Sequence, residues 1–273
     1  MTSTMTRTTE FVRSADGTEI AYEVTGSGPA LVLVDGGLCQ RSFGPARGLA
    51  AALADSFTVY CYDRRGRGES GAGVSPWQAG RELEDLAAVL TAAGGRPHLF
   101  GSSSGAVLAL EAARQGLGIG RLVVYEAPFI VDDTHAPDDP RLPERVQAMV
   151  AAGRRSDAVR AFLRTVGVPA PVVALMRFLP VWKQLTQLAH TLPYDLAIVV
   201  PGQQGDPLQV GCYDDVASET LVIAGGKSPE YLRNAQAAIA AAVPHGRLET
   251  LPGQTHLIRA DAVAPVVRSF LAG

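Results

Sequence analysis

Short apolar runs alternate with helical patterns along most of this chain, and this rhythm restricts the folds that are open to it. Residues 30–34 are apolar at every position, and residues 121–125 are apolar after the initial Arg121. Strands buried on both faces belong to a parallel sheet with helices on either side. The sequence therefore predicts an α/β fold with a mostly parallel, eight-stranded sheet. The predicted strands are residues 11–14, 19–24, 30–34, 57–62, 97–100, 121–125, 220–224 and 247–251.

The rhythm stops after the sixth predicted strand. Residues 128–213 carry 10 of the 18 prolines, with short helical stretches at 145–152 and 157–166 between them. This composition is typical of short helices separated by breaks. We predict a core of residues 1–127 and 214–273 and a helical cap inserted at 128–213, with Phe178 and Trp182 among the residues lining an apolar pocket.

Composition excludes several classes of protein. The chain is 47% hydrophobic and 19% charged with a net charge of −3, which is ordinary for a globular protein and argues against a nucleic-acid binder. Cys39, Cys61 and Cys212 have no metal-ligand spacing and are odd in number, so we expect no disulfide framework. The first ten residues lack an apolar segment, and no run is long enough to span a membrane. We expect a cytoplasmic protein without a membrane partner.

The strongest local motif is the pentapeptide GSSSG at residues 101–105, between a predicted strand and a predicted helix. A nucleophile raised on a tight strand-to-helix turn has strained backbone angles and close neighbours, so glycine is favoured two residues to either side. Ser103 is the central serine. The following helix N-terminus would favour negative charge near its hydroxyl.

With this motif the chain resembles the α/β-hydrolase superfamily over nearly all of its length. The segment YDRRGRGES at 62–70 is similar to a family turn after the fourth strand, so its arginines are interpreted as a structured loop. The segment LPGQTH at 251–256 resembles the loop that presents the catalytic histidine. The resemblance implies an α/β-hydrolase fold in which Ser103 is the nucleophile and His256 is the base.

A serine hydroxyl needs a base to remove its proton and a third group to orient that base. Only His256 follows a strand at the appropriate sheet edge and in the chain order serine, acid, histidine. The remaining histidines suit core or solvated roles better; they are His98, His135, His190 and His245.

The acid is less well determined. The seventh strand is followed by KSPE at 227–230, without an Asp at the usual family position. Glu126 follows the sixth strand, as in some haloalkane dehalogenases, and is our preferred acid. A carboxylate there needs a partner, which His256 would supply. Other carboxylates stay open as alternatives; they are Glu230, Asp214, Asp215 and Asp132.

Asp35-Gly36-Gly37 matches the family loop that helps to form the oxyanion hole. The N–H of Ser104 and that of Gly36 or Gly37 are the expected donors. Many relatives have His where this chain has Asp35. This Asp is either structural, bonding backbone N–H groups or pairing with an arginine such as Arg41, or an additional acid or base in a reaction other than hydrolysis.

The function predicted from the resemblance is hydrolysis of a small or medium, largely apolar ester, thioester or lactone through a Ser-His-Glu triad and an acyl-enzyme. A second hypothesis is a cofactor-free lyase, cyclase or epimerase that uses Asp35 or His256 as acid or base. A third is a non-catalytic protein that binds a small molecule. We expect a small-molecule substrate and neither metal nor organic cofactor. The sequence leaves the oligomeric state open, a homodimer included.

Overall fold

Eight strands form one sheet in the computed structural model, which describes residues 8–73 and 77–273. The strand order is β1-β2-β4-β3-β5-β6-β7-β8. Strand β2 runs antiparallel to both of its neighbours, and the other paired strands are parallel. This arrangement confirms the predicted mostly parallel sheet. The strands are β1 (Thr9–Arg13), β2 (Glu19–Gly26), β3 (Ala30–Val34), β4 (Thr58–Tyr62), β5 (His98–Ser102), β6 (Leu122–Tyr125), β7 (Thr220–Gly225) and β8 (Gly246–Leu251).

Helices cover both faces of the sheet because successive strand side chains point to opposite sides. Val32 and Val34 pack on one side with α2, α3 and α9, whereas Leu31 and Leu33 pack on the other with α1 and α10. These helices are α1 (Ala46–Leu53), α2 (Ala79–Ala93), α3 (Ser104–Arg114), α9 (Glu230–Ala242) and α10 (Ala260–Ala272). The central strands are therefore buried on both faces, which explains their continuous apolar sequence.

Five α-helices and two short 3₁₀ turns lie between β6 and β7 and belong to the segment predicted as a cap, residues 128–213, which we call the inserted segment. Its helices pack around their own apolar cluster, which includes Val146, Val159 and Leu192. Phe178 is 85% exposed, so the expectation that it lines a pocket is wrong; Trp182 is buried in that cluster. The division into core and cap stays a prediction. The helices are α4 (Leu142–Ala151), α5 (Arg155–Thr165), α6 (Ala170–Met176), α7 (Pro180–Leu188) and α8 (Leu192–Val199).

Helix α8 contacts the loops that follow β3, β4 and β5. Its Asp195 carboxylate is hydrogen-bonded to Arg64, Arg67 and Ser104. Parallel strands bring their carboxyl ends to one edge of a sheet, where ligands of such folds bind. The inserted segment thus lies over the edge at which the predicted site residues should meet. Within the described part of the chain, no helix is both long enough and apolar enough to cross a membrane.

Candidate active site

Ser103 occupies a strained turn between β5 and α3. Its φ of 54° and ψ of −126° lie in a region that residues with a side chain rarely adopt. A Cβ added at Gly101 would lie 2.4 Å from the carbonyl oxygen of Gly105, and one at Gly105 would lie 2.3 Å from that of Val34. The turn is possible only because both flanking positions lack a side chain. This is the conformation that the GSSSG motif predicts.

The imidazole of His256 is held by a buried carboxylate. Glu126, directly after β6, is 0% exposed, and its Oε2 lies 3.0 Å from His256 Nδ1. Its Oε1 accepts the backbone N–H of Gly225 at 2.6 Å, so both carboxylate oxygens are engaged. A carboxylate accepts hydrogen bonds, which places the neutral ring's proton on Nδ1 and leaves Nε2 with a free lone pair. The His256 side chain is 40% exposed, so the ring that carries Nε2 can be reached by solvent or by a ligand.

Two hydrogen bonds of Tyr125, one through its backbone and one through its side chain, join the loops that carry these groups. The N–H of Ser103 donates to the Tyr125 carbonyl at 3.0 Å, and the Tyr125 hydroxyl donates to the Thr255 carbonyl at 2.6 Å. The Ser103 hydroxyl itself makes no hydrogen bond to any group in the described ranges 8–73 and 77–273. The structure thus joins Glu126 to His256 directly, and links the Ser103 turn to the His256 loop through Tyr125.

The loop of Gly36 and Gly37 and the first residue of α3, Ser104, carry the N–H groups expected as oxyanion donors. A Cβ built on Gly36 would lie 2.8 Å from Ser103 Cβ and 3.3 Å from its Oγ, so this glycine lies against the Ser103 side chain. The N–H groups of Gly36 and Gly37 donate to no protein group that the structure describes. Ser104 is the first residue of α3, where backbone N–H groups lack helical partners. Unpaired backbone N–H groups are the kind of donor that stabilises a developing oxyanion.

Asp35 is buried. Its Oδ2 lies against Gly44 and Cys39, next to the start of α1. Burial raises the pKa of this carboxyl to about 7, although the Ala46 backbone and nearby arginines oppose the effect. Arg41, suggested as its partner, is instead bound by Asp63 at 2.9 Å.

The alternative acids lie apart from His256. Asp132 accepts from Asn234 at 2.7 Å, and Glu230 is an exposed residue at the start of α9. Asp214 and Asp215 are also exposed. None of these four is hydrogen-bonded to His256, so in the described chain Glu126 is the carboxylate at the imidazole.

A buried ionic network lies behind the loop of Gly36 and Gly37, which we call the donor loop, and was not anticipated by sequence reasoning. Arg64 Nη1 and Arg67 Nη2 each lie 2.8 Å from an Asp195 oxygen, and the Ser104 hydroxyl donates to the same carboxylate at 2.7 Å. Burial raises the pKa of Asp195, but the two arginines and the Ser104 hydroxyl outweigh it and hold the pKa below its ordinary value. The one available signal was an isolated Asp in the apolar stretch 192–200.

The described residues contain no cluster of three His, Cys, Asp or Glu side chains that could hold a metal ion.

Comparisons with known proteins identify similar sequences and structures. Residues 31–268 match the model of the alpha/beta hydrolase family. The structure of an alpha/beta hydrolase from Sphaerobacter thermophilus DSM 20745 is 46% identical, with a TM-score of 0.86 over 96% of this chain and 100% of that one. A hydrolase from Pseudomonas aeruginosa PA01 is 26% identical, with a TM-score of 0.75 over 97% and 98%.

Among curated proteins, the uncharacterized hydrolase YraK of Bacillus subtilis (strain 168) is 27% identical over 151 residues. This match covers 54% of the present chain and 55% of YraK, so it spans about half of that relative's length.

Proposed function

Because the chain belongs to the alpha/beta hydrolase family, we propose that it is a serine hydrolase acting on small or medium-sized, largely apolar esters, thioesters or lactones. One observation carries the proposal. The buried Glu126 carboxylate lies 3.0 Å from the His256 ring, and Tyr125 links the His256 loop by hydrogen bonds to the strained Ser103 turn. A base oriented in this way beside a serine on such a turn is what nucleophilic acyl transfer requires.

In the proposed acylation step, Ser103 Oγ attacks the carbonyl carbon while its proton passes to His256 Nε2. The carbonyl electrons move to oxygen, and the N–H groups of Gly37 and Ser104 stabilise that oxyanion. When the tetrahedral intermediate collapses, the bond to the leaving oxygen or sulfur breaks and the imidazolium returns the proton to it. The Ser103–His256 hydrogen bond forms when substrate is bound, since catalytic hydrogen bonds often tighten only in the complex.

Water completes the reaction. His256 takes a proton from water, whose oxygen attacks the acyl carbon, and the second tetrahedral intermediate releases a carboxylic acid and restores the Ser103 hydroxyl. Glu126 remains a carboxylate throughout and stabilises the imidazolium. Each turnover of an ester consumes one ester and one water and forms one carboxylic acid and one alcohol. A thioester gives a thiol in place of the alcohol.

Apolar side chains of the inserted segment lie beside Gly37, together with the Asp195 carboxylate, which two arginines neutralise. A Cβ on Gly37 would lie 3.3 Å from the Cζ atom of Phe162, an aromatic residue of the inserted segment. Leu38, the next residue, packs into the apolar cluster of the same segment. Aliphatic or aromatic surfaces of this kind stabilise an apolar ligand by removing its surface from water.

Active-site labelling with a fluorophosphonate tests the proposal. Wild-type protein and the variant Ser102→Ala, altered at the neighbouring buried serine, should be labelled and should hydrolyse p-nitrophenyl butyrate. Ser103→Ala should show neither the label nor hydrolysis. An unlabelled, folded wild-type protein without activity on a panel of esters, thioesters and lactones would contradict the proposal.

Two other outcomes would assign a different function. If Ser103→Ala retained full turnover of a substrate while Asp35→Asn lost it, a lyase, cyclase or epimerase would replace the hydrolase. A ligand that bound and was recovered unchanged, with affinity alone affected by Ser103→Ala, would indicate a binding protein.

A further inference from the structure

The buried network behind the donor loop determines the orientation of one particular peptide group. Arg67 Nη1 donates to the carbonyl oxygen of Gly36 at 2.7 Å. That carbonyl and the N–H of Gly37 belong to the same planar peptide, in which a trans geometry points them in opposite directions. A hydrogen bond that holds the carbonyl on the Arg67 side therefore turns the Gly37 N–H toward the opposite side.

The same bond also strengthens the donor. A charged guanidinium on the carbonyl oxygen polarises the peptide, and hydrogen bonds in such a chain reinforce one another. The Gly37 N–H is one of the two groups assigned to the oxyanion in the proposed function. Its strength and direction matter most in the transition state, where the negative charge is greatest.

Arg67 is itself fixed from the inserted segment. Its Nη2 lies 2.8 Å from Asp195 Oδ2, and the exposed fractions of the two side chains are 1% and 2%. The other oxygen, Asp195 Oδ1, accepts the Ser104 hydroxyl at 2.7 Å. One carboxylate on α8 therefore holds the residue that supplies the second oxyanion donor and the arginine that aims the first.

Arg64 completes the support without touching the Gly36–Gly37 peptide. It bonds Asp195 Oδ1 at 2.8 Å and pairs through two nitrogens with Glu82 on α2. Two arginines and two carboxylates compensate one another within this network. Such pairing makes a buried charge tolerable, and it predicts that loss of one partner changes the position of the others.

We propose that Arg67 and Asp195 are positioning residues for the oxyanion hole, which they set by aiming the Gly37 N–H and anchoring Ser104. This inference rests on the proposed serine hydrolase function. It also assigns a role in the chemistry to the inserted segment, because helix α8 supplies Asp195.

The variant Arg67→Met tests the inference, with Arg65→Met as its matched control. Arg65 is equally buried and is bound by Asp85 at 2.6 Å, but it contacts neither the donor loop nor Asp195. Each variant is assayed for kcat and KM on p-nitrophenyl butyrate, for inhibition by butylboronic acid, which forms a tetrahedral anionic adduct with serine, and for thermal unfolding.

We expect Arg67→Met to lower kcat about 10- to 100-fold, less than the loss of an entire oxyanion donor, with KM within about threefold of the wild type. The inhibition constant for the boronic acid should rise by a factor similar to that in kcat, because both report on the anionic tetrahedral state. Arg65→Met should lose thermal stability while its kcat and inhibition constant stay within about twofold.

The inference is overturned if Arg67→Met keeps the wild-type kcat and inhibition constant, or if Arg65→Met loses both to the same extent. Should Arg67→Met fail to fold, Arg67→Lys takes its place. The single ammonium of lysine cannot bond the Gly36 carbonyl and Asp195 as the two arginine nitrogens do. We therefore expect kcat to fall and the inhibition constant to rise about tenfold, and wild-type values of both would overturn the proposal. An inactive, unlabelled wild type contradicts the proposed function instead, so the two failures are distinguishable.

Discussion

Replacement of Glu126 by glutamine isolates the contribution of the buried carboxylate with little change in shape. The Gln oxygen can still accept the Gly225 N–H, but the amide NH₂ then faces His256 Nδ1. Two donors cannot bond, so the ring must carry its proton on Nε2, where it can no longer accept the serine proton. Glu126 is 0% exposed, so water cannot substitute for the lost acceptor.

The expected loss in kcat is on the order of 10⁴, the cost of the wrong tautomer when the geometry of a triad is intact. At about 1.36 kcal/mol per tenfold, this corresponds to about 5 kcal/mol of transition-state stabilisation. The measurement is the initial rate of p-nitrophenyl butyrate hydrolysis at saturating substrate, together with circular dichroism and thermal unfolding. KM should stay close to that of the wild type, because the ring does not contribute to ground-state binding of the ester.

The matched control is Glu249→Gln, which alters an exposed glutamate on β8 and should leave kcat unchanged. A folded Glu126→Gln protein with kcat within tenfold of the wild type would refute the reasoning. The acid would then have to be sought among the alternatives Asp132, Asp214, Asp215 and Glu230.

Two further predictions concern stability. Gly105→Ala should lower the free energy of unfolding by about 3 kcal/mol or more in urea denaturation, because its Cβ would lie 2.3 Å from the Val34 carbonyl oxygen. Gly80→Ala, where a Cβ meets nothing within 4 Å, should stay within about 1 kcal/mol, and equal losses in the two variants would contradict the packing argument. Burial raises the pKa of Asp35 to about 7 from 3.8, so the folded state retains a proton that the unfolded state has released. Its contribution therefore becomes less favourable as pH rises from about 4 to 7, by up to about 4 kcal/mol. Asp35→Asn should gain stability relative to the wild type over that range, and parallel curves of unfolding free energy against pH would show that Asp35 does not titrate as argued.

The fold and the position of the serine follow from short-range patterns. Continuous apolar runs specify strands buried on both faces, and the spacing of Gly101, Ser103 and Gly105 specifies a turn whose closeness excludes side chains. These features depend on residues within a few positions of one another, so they can be interpreted from the chain alone.

The acid could not be chosen in this way. Several carboxylates follow strands or begin helices, and chain order alone does not say which one reaches His256. The loop geometry brings Glu126 to the ring, although the two residues are 130 positions apart in the chain. The partner of Asp35 could not be predicted either. The folded loop places its carboxylate against Gly44 and Cys39, whereas the sequence suggested Arg41.

The sequence by itself determined the succession of core strands and helices along the chain and the turn that carries Ser103. Both depend on apolar periodicity and steric limits that involve only residues close together in the sequence. Only the tertiary structure decided that Asp195 meets Arg67, 128 positions away, behind the Gly36–Gly37 peptide. A buried charge is stable only where the folded chain surrounds it with partners, and the identity of those partners depends on how distant segments pack.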